Sequence, residues 1–247
     1  MQQRNNMPGT ITTKVNEIFT SIEGEGILFG TKTMFVRLAG CPFKCHWCDT
    51  PYALPMDSGV DYSIEEVKRI ISKNLQPNTY KINFTGGEPL VQYEAVIELA
   101  KFASQKGLRV YLESSCYDAK RFAKVLPYIN ICKVEIKLRD SKIVDENQYS
   151  NLLKNEHECL RHAINSNKTT YIKVVVTNSS NLIEFKDIVR EVFNVAQPSE
   201  LAGFIIQPSY TVDEPTLDVL FGFYDAVYPI YDQVRVIPQL HKIIGAR

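Results

Sequence analysis

Gly40-Cys41-Pro42-Phe43-Lys44-Cys45-His46-Trp47-Cys48-Asp49-Thr50 puts three of the six cysteines of this chain into eight residues. So tight a C-x3-C-x2-C loop reads as a metal or cluster site, because zinc and iron–sulfur clusters both take Cys thiolates as ligands. Three sulfurs are one short of the four that a [4Fe–4S] cube takes, and no further cysteine stands nearby in sequence. One iron would then be open to a small chelating ligand. The competing reading is a closed zinc site completed by His46 or by a distant cysteine.

The 247 residues around this loop, 45% hydrophobic and 23% charged, can bury a substantial core and do not have a disordered composition. Lys plus Arg and Asp plus Glu balance at 28 each, which removes the broad positive field that a nucleic-acid binder needs. No apolar run reaches the ~18 residues of a membrane span, and residues 1–12 are polar rather than signal-like. The expectation is a cytoplasmic protein that binds neither nucleic acid nor membrane. Cys116, Cys132 and Cys159 are scattered singly and read as small buried hydrophobes.

Upstream of the loop, Val15 to Thr20 has strand character and runs into the turn Ser21-Ile22-Glu23-Gly24-Glu25-Gly26. Read alone, the two carboxylates there are charges on a solvated hairpin loop. Thr33 to Leu38 is a second strand, with Arg37 inside it, and delivers the chain to Cys41. Downstream, Ser63 and Glu66 form a capping box that opens a helix with Ile64, Val67, Ile70, Ile71 and Leu75 on one face. Strands at Tyr80–Phe84, Leu108–Glu113, Ile131–Lys137, Tyr171–Thr177, Gly203–Gln207 and Val234–Ile237 then alternate with helices at Tyr93–Gln105, Phe122–Leu126, Glu146–Ile164, Asn181–Phe193 and Thr216–Tyr231. Apolar runs such as YIKVVVT suit a parallel sheet covered on both faces. The alternation predicts one α/β domain whose βα units curl into an open or partial barrel. Residues 1–14 are expected to be an N-terminal tail and 15–247 the barrel domain.

Ligands of parallel α/β folds bind at the carboxyl ends of the strands, and the marked residues follow that edge. The cysteine loop ends one strand, Thr85-Gly86-Gly87-Glu88 the next, and Glu113-Ser114-Ser115, Lys137 and Gln207-Pro208-Ser209 three others. Gly86-Gly87 would let backbone approach a ligand closely. Read alone, it is a helix-entry turn with Glu88 and Pro89 in the first turn.

The C-x3-C-x2-C loop with Trp47 before its third cysteine, followed one βα unit later by Gly86-Gly87, resembles the radical S-adenosylmethionine (SAM) enzymes. Five segments narrow the resemblance: Glu17-Ile18-Phe19 through Gly26, Phe35 through Cys41, Cys48-Asp49-Thr50-Pro51, Thr85 through Leu90, and Pro238-Gln239-Leu240-His241-Lys242. Together they resemble the 7-carboxy-7-deazaguanine synthase family. That resemblance implies a single-domain, incomplete TIM-like β/α barrel of the radical SAM type, working as a homodimer with a [4Fe–4S] cluster, SAM and Mg2+. It also implies an external electron donor of flavodoxin or ferredoxin type. The implied reaction converts 6-carboxy-5,6,7,8-tetrahydropterin to 7-carboxy-7-deazaguanine, a step toward queuosine and related deazapurines. SAM would be cleaved to methionine and a 5′-deoxyadenosyl radical that takes a hydrogen from C6 of the pterin, after which the ring contracts and ammonia leaves.

By matching motif, the resemblance makes Cys41, Cys45 and Cys48 the cluster ligands and Thr50 the Mg2+ ligand. It assigns Trp47, Cys48, Asp49 and Gly87, with Glu135, Ile136 and Lys137, to SAM. Ile22, Glu23, Gly24, Arg37, Thr85 and the terminal Arg247 fall to the pterin. The family commonly carries Gln where this chain has Glu23, and Ser-Pro-Lys where it has Glu135-Ile136-Lys137. An activating enzyme for glycyl-radical proteins is the rival enzyme, and a zinc-binding or electron-transfer module the rival without catalysis.

Overall fold

The computed structural model describes residues 11–246 of the chain. Strand β1 (Thr12–Ile22) pairs antiparallel with β2 (Lys32–Leu38) on one side and with β3 (Val60–Ser63) on the other. Strand β1 starts three residues ahead of the boundary expected at residue 15, with Thr12, Thr13 and Lys14 opposite Ser63, Tyr62 and Asp61. Strand β3 was not legible: its VDYS is too short, and its outer residues too exposed, for a pattern.

From β2 onward every pairing is parallel, through β4 (Lys81–Gly86), β5 (Arg109–Ser114), β6 (Ile131–Glu135), β7 (Thr169–Val176), β8 (Phe204–Pro208) and β9 (Val234–Val236). The spatial order is β3-β1-β2-β4-β5-β6-β7-β8-β9, with β3 and β9 as edges, so the barrel is incomplete. Helices α1 (Ile64–Asn74), α2 (Tyr93–Gln105), α3 (Ala119–Val125), α4 (Glu146–Asn165), α5 (Leu182–Val195) and α6 (Leu217–Val227) make the crossovers, and α7 (Leu240–Ile244) follows β9. The Ser63–Glu66 capping box opens α1 as expected. Helix α3 starts earlier than its apolar pattern implied because Asp118 caps it by accepting from the Arg121 N–H. Helix α6 stops at Val227, and Val227 to Tyr231 close in a turn, so Tyr228 to Tyr231 are not helical as the sequence suggested.

Strand alternation divides the interior in two. One face of each strand packs against the helices in a single apolar cluster that includes Val36, Phe84, Leu112, Val134, Val174 and Ile206. The opposite face turns into the barrel. Its lower part is a small apolar plug of Tyr111, Ile131, Tyr171 and Ile205. Above the plug the inward residues become polar: Thr85, Glu113, Lys133, Glu135, Lys173 and Gln207 line a cleft. Cys116, Cys132 and Cys159 are fully buried in the helix-side cluster, as expected of lone thiols.

Candidate active site

The cysteine loop leaves β2 at Leu38 and is fastened by the Gly40 N–H to the Ala53 carbonyl, the Cys41 N–H to Leu54, the Cys48 N–H to Cys45 and the His46 N–H to Ser141, at 2.9 to 3.1 Å. Cys41, Cys45 and Cys48 all line the cleft, together with Phe43, Trp47, Asp49 and Thr50. All three thiols are half-buried and unpaired as disulfides. Burial pushes the Cys41 thiol up to about 12 and raises Cys48, and neighbouring Cys45 adds to both as a like charge. The loop presents three thiols to one cavity and no fourth. His46 is exposed and outside the cleft, and the other cysteines lie in the helix-side core. This donor set fits a [4Fe–4S] cluster with one open iron and does not complete a closed zinc site.

Gly86 and Gly87 have a different reason for being glycine than ligand approach alone. Gly86 has φ +144, and a Cβ on Gly87 would lie 2.5 Å from the Gly40 carbonyl oxygen and 2.9 Å from that of Ala53. The Gly87 N–H donates to the Leu38 carbonyl at 3.0 Å and the Glu88 N–H to Gly40 at 2.8 Å. Absence of side chains here lets the β4 end nest against the start of the cysteine loop. Glu88 is buried below and accepts from the Leu90 N–H, the Ser114 and Ser115 hydroxyls and the Ser115 N–H, at 2.6 to 2.9 Å. Burial raises its carboxyl, and these bonds offset part of that.

The turn after β1 is not a solvated loop. Glu23 is 4% exposed, and its Oε2 receives Lys81 Nζ and, at 3.5 Å, Asn83 Nδ2. Glu25 accepts from Lys173 at 2.6 Å and from Gln239 at 2.7 Å. Both carboxylates line the cleft. Arg37 bonds through Nε to Glu17 at 2.8 Å, and Glu17 also accepts from Tyr52 at 2.6 Å. Stacked Phe19 and Phe35, 5.0 Å apart, line the same wall.

Lysines and glutamates alternate across the cleft floor. Lys133 bonds Glu135 at 2.5 Å and Glu113 at 3.4 Å, Lys173 lies 3.5 Å from Glu135, and Lys137 also donates to Glu135. Burial works against ionisation of Glu113, Glu135, Lys133 and Lys137, yet Lys133, Lys137 and Lys173 hold Glu135 well below the usual carboxylate range, and Lys133 and Lys173 hold Glu113 at about 2. The segment after β6 is braced from α4: both Glu156 oxygens accept from the Lys137 N–H at 3.3 and 3.4 Å, and the Tyr149 hydroxyl donates to the Lys137 carbonyl at 2.6 Å. Ile136, expected beside Lys137 in the SAM contact, turns its side chain into the helix-side core, which leaves its backbone for that contact.

Helix α7 closes the rim. Asp49 accepts from Gln239 at 3.2 Å and faces His241 at 3.6 Å and Lys242 at 3.8 Å. Burial alone would raise Asp49, but the His241 bond and the Lys242 charge bring it down to about 2. The oxygen and nitrogen atoms of Glu25, Asp49 and His241 lie within 4.8 Å of one another, and with these partners they form a latch between the C-terminal helix and the cluster loop. The cleft thus brings together Cys41, Cys45, Cys48, Trp47, Asp49, Thr50, Gly87, Glu135 and Lys137 with Ile22, Glu23, Gly24, Arg37 and Thr85. Arg247 lies outside the described residues. Lys81, Asn83, Lys133, Lys173 and His241 join the site without having been singled out by the sequence, although lysines inside apolar strands are a signal for Lys81, Lys133 and Lys173.

A family model described as "4Fe-4S single cluster domain" matches residues 22–159, more than half of the chain. The 7-carboxy-7-deazaguanine synthase of Methanospirillum hungatei is 30% identical over 235 residues, which cover 94% of this chain and 85% of that one. The same enzyme of Methanocaldococcus jannaschii is 29% identical over 245 residues, covering 94% and 99%. Among solved structures, QueE from Escherichia coli matches with a TM-score of 0.62 at 18% identity, over 92% of this chain and 94% of that one. A radical SAM methyltransferase from Sphaerobacter thermophilus matches with a TM-score of 0.59 at 12% identity, over 84% and 66%. These two share the fold. Sequence likeness over nearly the whole length, with the cluster motif inside the matched region, makes this chain a member of the 7-carboxy-7-deazaguanine synthase family of radical SAM enzymes, which use a [4Fe–4S] cluster and SAM.

Proposed function

We propose that the protein converts 6-carboxy-5,6,7,8-tetrahydropterin to 7-carboxy-7-deazaguanine, with ring contraction and loss of ammonia. The observation that carries this reading is one cleft lined both by the three thiols and by Glu23, Arg37 and Thr85. Bound at Cys41, Cys45 and Cys48, the cluster with SAM supplies reductive sulfonium cleavage and hydrogen-atom abstraction.

The chain's own residues bind and orient. Trp47, Cys48, Asp49, the Gly87 backbone, Glu135 and Lys137 hold SAM. Ile22, Glu23, Gly24, Arg37 and Thr85 hold the pterin, with Arg247 as a further contact by family resemblance. Arg37 offers a planar, always charged donor fork steadied by Glu17. Phe19, Phe35, Trp47 and Val175 are apolar walls that exclude water. Mg2+ is assigned to Thr50, since a hard dication takes oxygen ligands and the Thr50 hydroxyl makes no capping bond to the short 3-10 turn it precedes. The proposal includes a cytoplasmic homodimer reduced by a flavodoxin- or ferredoxin-type donor. No helix among the described residues is long and apolar enough to cross a membrane.

Anaerobic turnover of reconstituted protein with 6-carboxytetrahydropterin, SAM and dithionite, followed by mass spectrometry, tests the reaction. The expected product is 7-carboxy-7-deazaguanine. SAM cleavage with the pterin recovered unchanged would refute it.

A further inference from the structure

Lys81, at the foot of β4, has no exposed surface and ends on Glu23. Lysine is almost never fully buried without a partner, and a buried ion pair is weak evidence of stability because desolvating two charges offsets their attraction. Hydrophobic residues of similar volume would serve the plug below at least as well. The pair therefore asks for a reason beyond folding. Around it, the Lys81 ammonium lies 4.6 Å from the Tyr111 ring centre and 5.8 Å from that of Phe35, which favours a retained cation. Asn83, one step up the same inward face, donates to Glu23 Oε2 at 3.5 Å and to Glu113 at 3.2 Å, and its own Oδ1 has no partner.

Both of these bonds end on one oxygen of Glu23, while Glu23 itself lines the cleft. We infer that Lys81 is a positioning residue for substrate recognition: it keeps the Glu23 carboxylate ionised and pinned through Oε2, so that Glu23 accepts paired N–H donors from a ring such as the 2-amino-pyrimidinone edge of a pterin. The inference rests on the proposed pterin substrate and deepens it. An amide at this place would offer an acceptor and two donors and would need no buried counter-charge. A carboxylate only accepts, and in the interior it needs a cation. Glu23 and Lys81 thus form one unit, in which the choice of Glu fixes what the cleft recognises and Lys81 makes that choice tolerable.

The charges facing Glu23 act in opposite senses. Burial raises its carboxyl, the Lys81 charge and hydrogen bond pull it back, and Glu113 and Glu25 raise it again. The Tyr111 and Tyr171 hydroxyls, bonded to each other at 2.5 Å, and His241 packed over Gly24 complete the surroundings. Removing Lys81 leaves burial, Glu113 and Glu25 favouring the protonated acid, opposed only by the long 3.5 Å bond from Asn83.

The test is anaerobic binding of 6-carboxytetrahydropterin to the reconstituted, SAM-loaded holoenzyme across neutral to alkaline pH, with iron content and melting temperature measured in parallel. Lys81→Met is expected to weaken pterin binding about tenfold or more near neutrality, the loss of one charged hydrogen bond. Its affinity should recover as pH rises and Glu23 ionises, a response absent from the wild type. Lys81→Met combined with Glu23→Gln, neutral at both places, is expected to lose that pH response and to bind more tightly than Glu23→Gln alone, which strands Lys81 without a counter-charge. A Lys81→Met curve that superimposes on the wild type, with only a lower melting temperature, would overturn the inference. So would a double variant that binds more weakly than Glu23→Gln, a comparison that stands even where Lys81→Met alone does not fold. Wild-type protein that cleaves SAM but binds no pterin would overturn the substrate reading beneath the inference, and is recognisable because iron and SAM cleavage remain.

Discussion

Gly87→Ala separates two reasons for the glycine pair. The φ of Gly87 lies outside the left-handed range, so the cost of a side chain is contact rather than backbone strain. The new Cβ would stand 2.5 Å from the Gly40 oxygen and 2.9 Å from the Ala53 oxygen, both backbone atoms that cannot swing aside. Relief requires the β4 end to move off the cysteine loop, weakening the Glu88 N–H bond to Gly40 and the Gly40 N–H bond to Ala53. Two backbone bonds at about 1 kcal/mol each, with overpacking of about 1–3 kcal/mol, give a loss of roughly 3–5 kcal/mol. For a domain of this size that lowers Tm by roughly 6–20 °C. Because Cys41 follows Gly40 directly, iron retained after anaerobic reconstitution should fall with the Tm. Thermal unfolding and iron and sulfide analysis of the same samples decide it. A variant with wild-type Tm and full iron, defective only in SAM affinity, would show that Gly87 serves ligand approach alone.

The remaining predictions address the cluster, the cation and the α4 brace. Replacing Cys116, Cys132 and Cys159 with Ala should cost roughly 1 kcal/mol per buried sulfur and leave iron per protein unchanged; iron loss at a Tm still well above the assay temperature would contradict the three-ligand assignment. Thr50→Val should blunt the Mg2+ response of product formation with little change in Tm, since its hydroxyl caps nothing, and superimposable Mg2+ titrations would assign Thr50 a structural role. Burial raises the Glu156 carboxyl well above its ordinary value, so its contribution to stability is present below the unfolded value and is lost as pH rises toward the folded one. Glu156→Gln keeps an acceptor for the Lys137 N–H and should raise Tm at pH 8 while changing it little at pH 4; a lower Tm at both would mean that the charge itself is needed.

The sequence by itself determined what depends on neighbours along the chain. The Cys41-Cys45-Cys48 spacing, the Ser63–Glu66 cap and the alternation of apolar strands with amphipathic helices are local patterns, and they suffice for an α/β partial barrel with its cluster loop at the end of β2. Family likeness added the roles proposed for Glu23, Arg37 and Thr85. Tertiary structure alone decided which charged residues face inward and what they meet. Lys81 and Glu23 are 58 positions apart and Lys173 and Glu25 148 apart, and each reads on its own as a solvated charge. Strand register and the antiparallel return of β1 bring them together, and once water is excluded each charge requires the other. Ile136 shows the converse: a motif placed it in the site, and the two-residue period of the strand turned its side chain into the core. The glycines of the β4 end also needed the fold, because what they make room for is the backbone of Gly40 and Ala53, at a distance in sequence that no local pattern reports.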